Sequence, residues 1–291
     1  MGIGFIIFRI GGLLGMLVTS GDMLTKAQRN HFAIPSPDFW DSNSCRIFCR
    51  TAEELSRPLI LSVAEAHSAM ITVDEAADLG KYYAERCDAP IVLHLDHGMH
   101  FDVIEKAIKL GFTSVMIDAS AESFDENVRR TSEVVELAHA NGVCVEAEIG
   151  HVGTNPGNMA NENESRYTEV TEAVAFSEAT GVDSLAVSIG TSHGLYSGTP
   201  NINFMRLEDL REAVRVPLVL HGGSSTGDDN LHRCAIGGIA KINIFTDFIV
   251  AALDNVYAKR PENWFSLLKE SDASIREVLM HYYGVFNCLD E

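Results

Sequence analysis

Short runs of Val, Ile and Leu alternate along the chain with longer stretches in which apolar residues recur every three or four positions. The runs fall near Phe32–Ile34, Pro58–Val63, Pro90–Leu95, Thr113–Ile117, Val143–Ile149, Val182–Ile189, Val216–Leu220 and Ala240–Ile244. Several are apolar without a break, the pattern of parallel strands covered on both faces or closed into a barrel. Helical periodicity predicts helices over Val73–Cys87, Asp102–Leu110, Phe124–Ala140, Val170–Thr180, Leu207–Val214, Asp228–Ile236 and Phe245–Ala258. Ser123 reads as a helix cap, and Asn141-Gly142 and Gly181 as helix ends.

About eight strand–helix units in one chain predict a single-domain α/β protein, a (β/α)8 TIM barrel. The pattern is interrupted only in the first two units, at Ser36–Asn43. A doubly wound open sheet is the alternative, but no Gly-x-Gly-x-x-Gly fingerprint follows the first strand. Ahead of the barrel, Ile3 to Val18 is mostly apolar and broken by Arg9. It lacks the basic lead and small-x-small cleavage pattern of a secretory signal, and it is too short and interrupted to span a membrane. Residues 1–15 are therefore read as an extension and 16–291 as the barrel, with Met16 as the natural start and Ser20 as the cap of a first helix.

Composition changes the picture in two places. Of 291 residues, 46% are apolar and 22% charged, enough for a sizeable core, and the formal net charge is −19. So acidic a chain repels nucleic acid and anionic membranes, and an anionic substrate must be held by local devices: backbone N–H groups, helix N-termini or a metal ion. The six cysteines (Cys45, Cys49, Cys87, Cys144, Cys234, Cys288) are scattered. Cys45 and Cys49 stand one helical turn apart, but no second pair accompanies them as a zinc site would require, so free thiols in a reducing cytoplasm are expected.

Catalytic groups in such a barrel sit at the C-terminal ends of the strands. The third run ends in His94-Leu95-Asp96-His97-Gly98, the fourth in Asp118 and the fifth in Glu148. The sixth ends near Thr191-Ser192-His193-Gly194, the seventh in His221-Gly222-Gly223-Ser224 and the eighth in Asn243-Ile244-Phe245-Thr246. A lone histidine at such a place usually packs or hydrogen-bonds. His97, His193 and His221, with carboxylates between, converge instead on one mouth, and three imidazoles leave a zinc ion an open position for substrate. His94 and Asp96 share a strand face. Asp96 is a candidate to move a hydroxyl proton, or else to orient a ligating histidine. Gly222-Gly223-Ser224-Ser225 permits close backbone approach, and Asn243 to Thr246 opens the last helix of the barrel, where such barrels hold phosphate.

These residues resemble the class II fructose- or tagatose-bisphosphate aldolases. The resemblance rests on Leu93-His94-Leu95-Asp96-His97-Gly98, Ser114-Val115-Met116-Ile117-Asp118 and Val145-Glu146-Ala147-Glu148-Ile149-Gly150. It extends to Gly181 through Val187, Ile189 through Tyr196 and Pro217 through Ser224, within a match running from Met16 to Leu253. It implies a Zn2+ ion on His97, His193 and His221, with Asp118 and Glu148 serving an alternative metal placement. It also implies proton exchange at Asp96, and a dihydroxyacetone phosphate site at Gly194, Gly222, Gly223, Ser224 and Asn243 through Thr246. A sodium or potassium ion and a homodimer or homotetramer come with the resemblance, as does a sugar-phosphate substrate in carbohydrate metabolism.

The chemistry is consistent with this. Zinc does as a Lewis acid what a Schiff-base lysine does in other aldolases, so no lysine is required, and Lys241 is assigned a structural role. The chain departs from the family at four places. The loop after the fifth strand, Gly150 to Asn158, lacks the acidic pair common there, and Glu162 and Glu164 are the nearest acids. Ser36-Pro37-Asp38 and Ala64 replace other residues. The chain after Pro261 matches poorly. Two other readings compete: a metal-dependent hydrolase, which lacks its His-x-His and would leave the phosphate loops unexplained, and a non-catalytic sugar-phosphate-binding relative.

Overall fold

The computed structural model describes residues 16–152, 167–196 and 198–289; the extension 1–15 and the acids Glu162 and Glu164 lie outside them. A two-residue strand β1 (Met16–Leu17) and helix α1 (Ser20–Arg29) precede eight strands. These are β2 (Ile34–Pro37), β3 (Leu59–Ala64), β4 (Pro90–Gly98), β5 (Ser114–Ile117), β6 (Cys144–Ile149), β7 (Ser184–Val187), β8 (Leu218–Leu220) and β9 (Ile239–Ile244). All pair in parallel, β3 through β9 in sequence order, and β9 pairs with β2. The ring closes where Asp38 bridges Ser62 and Phe39 N–H donates to the Ser62 carbonyl at 2.8 Å. The fold is thus the expected barrel, and the open-sheet alternative is excluded.

Helices α2 (Ser42–Leu55), α3 (Val73–Ala84), α4 (Phe101–Leu110), α5 (Phe124–Ala140), α6 (Val170–Thr180), α7 (Phe204–Ala213), α8 (Asp228–Ile236), α9 (Thr246–Lys259) and α10 (Trp264–Val285) surround it. Among the described residues, no helix is long and apolar enough to cross a membrane. Ser123 caps α5, accepting from Glu126 N–H at 3.4 Å, and Gly181 ends α6 at φ +70°.

Several expectations are corrected. Two helices, α2 and α10, went unread, although both open on capping boxes, Asp41 with Ser44 and Asn263 with Ser266. Ser20 is no cap. It is the first residue of α1, which has Thr19 before it, and its buried hydroxyl donates to Ser114 Oγ at 3.2 Å across the bottom of the barrel. The first strand lies at Ile34–Pro37 rather than Phe32–Ile34. Two of its four residues are prolines, which cannot donate to a ladder. Residues 35, 37 and 39 share one edge of this strand, the edge facing β3, and pairing there starts only at Asp38 and Phe39. The missing donors therefore cost nothing.

Alternation decides what fills the barrel. Leu93 faces outward, packed so closely on α3 that a Cβ at Gly80 would lie 2.5 Å from its Cδ1. His94 and Asp96 consequently face inward. The same parity turns Glu146 and Glu148 of β6, and Lys241 and Asn243 of β9, to the interior. All six are at most 8% exposed. The interior thus carries a polar layer where many barrels carry branched aliphatics.

A candidate metal centre at the barrel mouth

His97 should point outward if His94 and Asp96 point inward. A one-residue bulge resolves the conflict. Between Leu95 and Gly98 the register of β4 against β5 slips, and His97 takes a left-handed conformation at φ +43°. Such a bulge re-aims a side chain. It turns the His97 ring to the same mouth that Asp96 faces. A Cβ at Gly98 would lie 2.4 Å from the Met116 carbonyl, so the bulge needs glycine after the histidine.

There His97 Nε2 lies 3.2 Å from His193 Nε2 and 2.9 Å from His221 Nδ1. Three nitrogens bound tetrahedrally at about 2.0–2.1 Å from zinc would lie about 3.3 Å apart. Each strand end thus brings one imidazole nitrogen to a common point. Burial opposes a proton on His97, but Asp96, Asp118 and Glu148 outweigh it and lift that ring to about 10. Burial, with His97 and His221 beside it, pushes His193 down to about 3. A proton is thus favoured on His97 and disfavoured on the neighbouring His193, and a cation between the rings would supply the positive charge that the carboxylates call for.

The outer ring nitrogens are held as ligating histidines require. Asp118 Oδ2 lies 2.8 Å from His97 Nδ1, and Glu146 Oε1 lies 2.9 Å from His221 Nε2. Asp118 accepts in turn from Ser120 Oγ at 2.8 Å. Glu148 accepts from Val152 N–H with one oxygen; its other oxygen, Oε2, is buried without a hydrogen-bond partner, 3.6 Å from His221 Nδ1. His97, Asp118 and Glu148 form a second group whose ligand atoms lie within 4.8 Å of one another, adjoining the first. The donor set suits a divalent ion, and the orphaned Glu148 oxygen suits a second position for it.

Asp96 is 2% exposed and lines the mouth. Its Oδ1 accepts from Asn243 Nδ2 at 2.8 Å. Burial works against its ionisation, yet His97, His94 and Lys241 hold the carboxyl well below the usual range. An ionised carboxylate in that place can take a proton from a hydroxyl.

Beside the histidines lies a cavity of about 350 Å³. Gly194, Gly222, Gly223, Ser224 and Asn243 through Thr246 line it together with Asp96, His97 and His193. The glycines are needed there: Cβ atoms at Gly222 and Gly223 would sit 2.5 Å and 2.7 Å from the carbonyls of Ser192 and Asn243. Ser224 Oγ accepts from Phe245 N–H at 3.1 Å, fixing the loop against the N-terminus of α9. That end attracts an anion.

Sequence reasoning missed Glu146, Asp38 and His67, and it gave Lys241 a structural role without its partners. Lys241, assigned a structural role, is 1% exposed; its Nζ donates to both Glu146 oxygens at 2.8 Å and lies 3.2 Å from His94 Nε2. Lys241 and His221 hold Glu146 at about 2 against the effect of burial. Glu146 thus links Lys241 to the His221 ring and holds that ring in place. Asp38 and His67 also line the cavity, and each keeps a buried atom, Oδ1 and Nδ1, without a hydrogen-bond partner. Period-two alternation from Glu148 pointed to Glu146; nothing local pointed to His67.

The chain matches the family model for class II fructose-bisphosphate aldolase over residues 18–291, so the likeness runs on through α10, beyond the expected limit at Leu253. The YdjI aldolase of Escherichia coli K12 is 33% identical, with 94% of this chain and 98% of that one covered and a TM-score of 0.84. A Coccidioides immitis protein provisionally named fructose-1,6-biphosphate aldolase is 26% identical over 92% and 96% of the two chains, with a TM-score of 0.83. Fructose-bisphosphate aldolase of Campylobacter jejuni, 21% identical over 95% and 97%, shares the fold with a TM-score of 0.79. The match spans both the histidine cluster and the glycine-rich loops beside it, and the chain belongs to the class II fructose-bisphosphate aldolase family, a family of lyases.

Proposed function

We propose that this chain catalyses the reversible aldol cleavage of a ketose phosphorylated at C1. The reference substrates are fructose 1,6-bisphosphate and tagatose 1,6-bisphosphate, which would yield dihydroxyacetone phosphate and glyceraldehyde 3-phosphate. The observation that carries the reading is the meeting of three imidazole nitrogens at the edge of one cavity that the glycine-rich loops and the start of α9 also line.

His97, His193 and His221 would hold Zn2+, with Asp118 and Glu148 available for a shifted position. The ion supplies Lewis-acid stabilisation of the negative charge that develops beside the substrate carbonyl. Gly194, Gly222, Gly223, Ser224 and Asn243 through Thr246 would bind the C1 phosphate through backbone N–H groups and the start of α9. Asp96 takes the proton of the hydroxyl on the carbon whose bond to its neighbour breaks, and returns it in the condensation direction. Asn243, which donates to Asp96, keeps that carboxylate aimed.

The test is triose phosphate release from each bisphosphate by zinc-loaded protein, with and without a chelator. Release that a chelator abolishes and added zinc restores is expected. Chelator-insensitive release, or phosphate set free without triose, would overturn the assignment.

A further inference from the structure

The cradle and the histidine cluster account for one half of the substrate, the half that becomes dihydroxyacetone phosphate. The other half, beyond the broken bond, must lie within reach of both the cradle and Asp96. Around the mouth, the strand ends that lie between the cradle on β9 and Asp96 on β4 are those of β2 and β3. They present Asp38, Ala64, Ala66 and His67 to the cavity.

Two of these carry an observation that points to a ligand. Asp38 is 7% exposed, and its Oδ1 has no hydrogen-bond partner. His67 lies against the Phe245 ring, centroids 4.3 Å apart, and its Nδ1 is buried without a partner. Burial holds the His67 ring below its ordinary pKa, so the neutral ring keeps one accepting and one donating nitrogen. A buried polar atom left unpaired costs free energy that a bound group with matching donors and acceptors recovers. A carboxyl oxygen and a neutral imidazole nitrogen match sugar hydroxyls, which both donate and accept. They do not match a phosphate dianion, which only accepts and calls for cationic donors or several N–H groups. Ala64 and Ala66 bring methyl groups to the same wall. Among the described lining residues, the only side chains able to carry positive charge are the histidines.

We propose that Asp38 and His67 form the subsite for the aldehyde half of the substrate, and that it takes an uncharged polyhydroxy chain in preference to one ending in phosphate. A ketose 1-phosphate is then a better substrate than a ketose 1,6-bisphosphate. The inference rests on the aldolase reading above and narrows it. The two hydroxyl-binding groups stand on different strand ends, so they can address neighbouring carbons and select for the configuration of the chain.

The experiment is run in the condensation direction. Zinc-loaded protein is given dihydroxyacetone phosphate with either D-glyceraldehyde or D-glyceraldehyde 3-phosphate, and kcat/KM is measured for each aldehyde. The wild type is expected to favour the unphosphorylated aldehyde by about tenfold or more, the discrimination a site gains by pairing its own buried polar atoms. Asp38→Leu and His67→Leu should each lower kcat/KM for glyceraldehyde by about tenfold, mainly through KM, and change the value for glyceraldehyde 3-phosphate less. If Asp38→Leu does not fold, His67→Leu, at a half-buried position in a surface turn, carries the test together with the wild-type ratio. A wild type that prefers glyceraldehyde 3-phosphate overturns this proposal and leaves the aldolase reading standing. Variants that depress both aldehydes equally overturn it as well. Condensation with neither aldehyde removes both readings together.

Discussion

The barrel interior divides into a floor and a mouth, and the two treat their polar atoms differently. On the floor, hydrogen bonds run from strand to strand: Ser36 to Ser62 at 2.7 Å, Ser114 to His94 at 2.9 Å, Lys241 between His94 and Glu146, and Glu146 on to His221. At the mouth, one or two residues further along the same strands, the bonding stops short. The buried side-chain atoms without a partner among the described residues are on Asp38, His67, Glu148, Thr191 and Asn243, and every one lies at or just beyond a strand's C-terminal end. Native structures leave few such atoms, and each calls for a reason. The reason here is a division of labour. The floor is saturated and rigid, and it fixes the side chains above it. The mouth keeps its bonding capacity for what arrives from outside.

The contrast can be broken most forcefully at the mouth. His193→Ala should cost about a thousandfold or more in turnover, because several kcal/mol of transition-state stabilisation leave with the ion, and metal analysis should find zinc lost. Asp96→Asn should cost about a hundredfold or more while the bound zinc stays, which separates holding the ion from moving the proton. An Asp96→Asn protein with near-normal turnover would end the proton-transfer assignment. On the floor the effect should be on stability. Lys241→Met leaves Glu146 buried without its counter-charge and should lower unfolding free energy by about 3–5 kcal/mol in a urea titration. A loss below about 1 kcal/mol would mean that the floor is not the rigid part. The smallest effect belongs to Thr191→Val, which removes an unpaired buried hydroxyl and keeps the shape. It should be neutral or stabilise by about 1 kcal/mol, the opposite sign to the Lys241 change.

The parts legible in the sequence were those written locally. Uninterrupted apolar runs announced the strands, and histidines just past them announced the histidine cluster, because strand ends in a barrel share one mouth whatever their distance along the chain. The bulge that aims His97 was not legible, since it exists only as a slip of β4 against β5. The Lys241–Glu146 pair joins residues 95 positions apart, and neither neighbourhood signals the other. The first strand was placed too early, at Phe32–Ile34, because Ser36–Asn43 interrupts the apolar pattern, whereas Ile34–Pro37 is what pairs with β9. Helices α2 and α10 were missed for a different reason: α2 opens within the Ser36–Asn43 interruption, and α10 lies beyond Pro261, where the resemblance as read from the sequence fades, although both begin on capping boxes.

The extra residue in β4 has a consequence for how the chain tolerates change. A non-glycine residue at φ +43° carries a strain of about 1–3 kcal/mol, so the straight ladder is the lower-energy backbone. Deleting either residue between Leu95 and Gly98 would relax the strand into regular pairing, and the mouth would lose Asp96 or His97. The shortened protein would be sounder as a sheet and empty as a catalyst. An insertion or deletion there, unlike one in a surface loop, trades activity against stability in a single step.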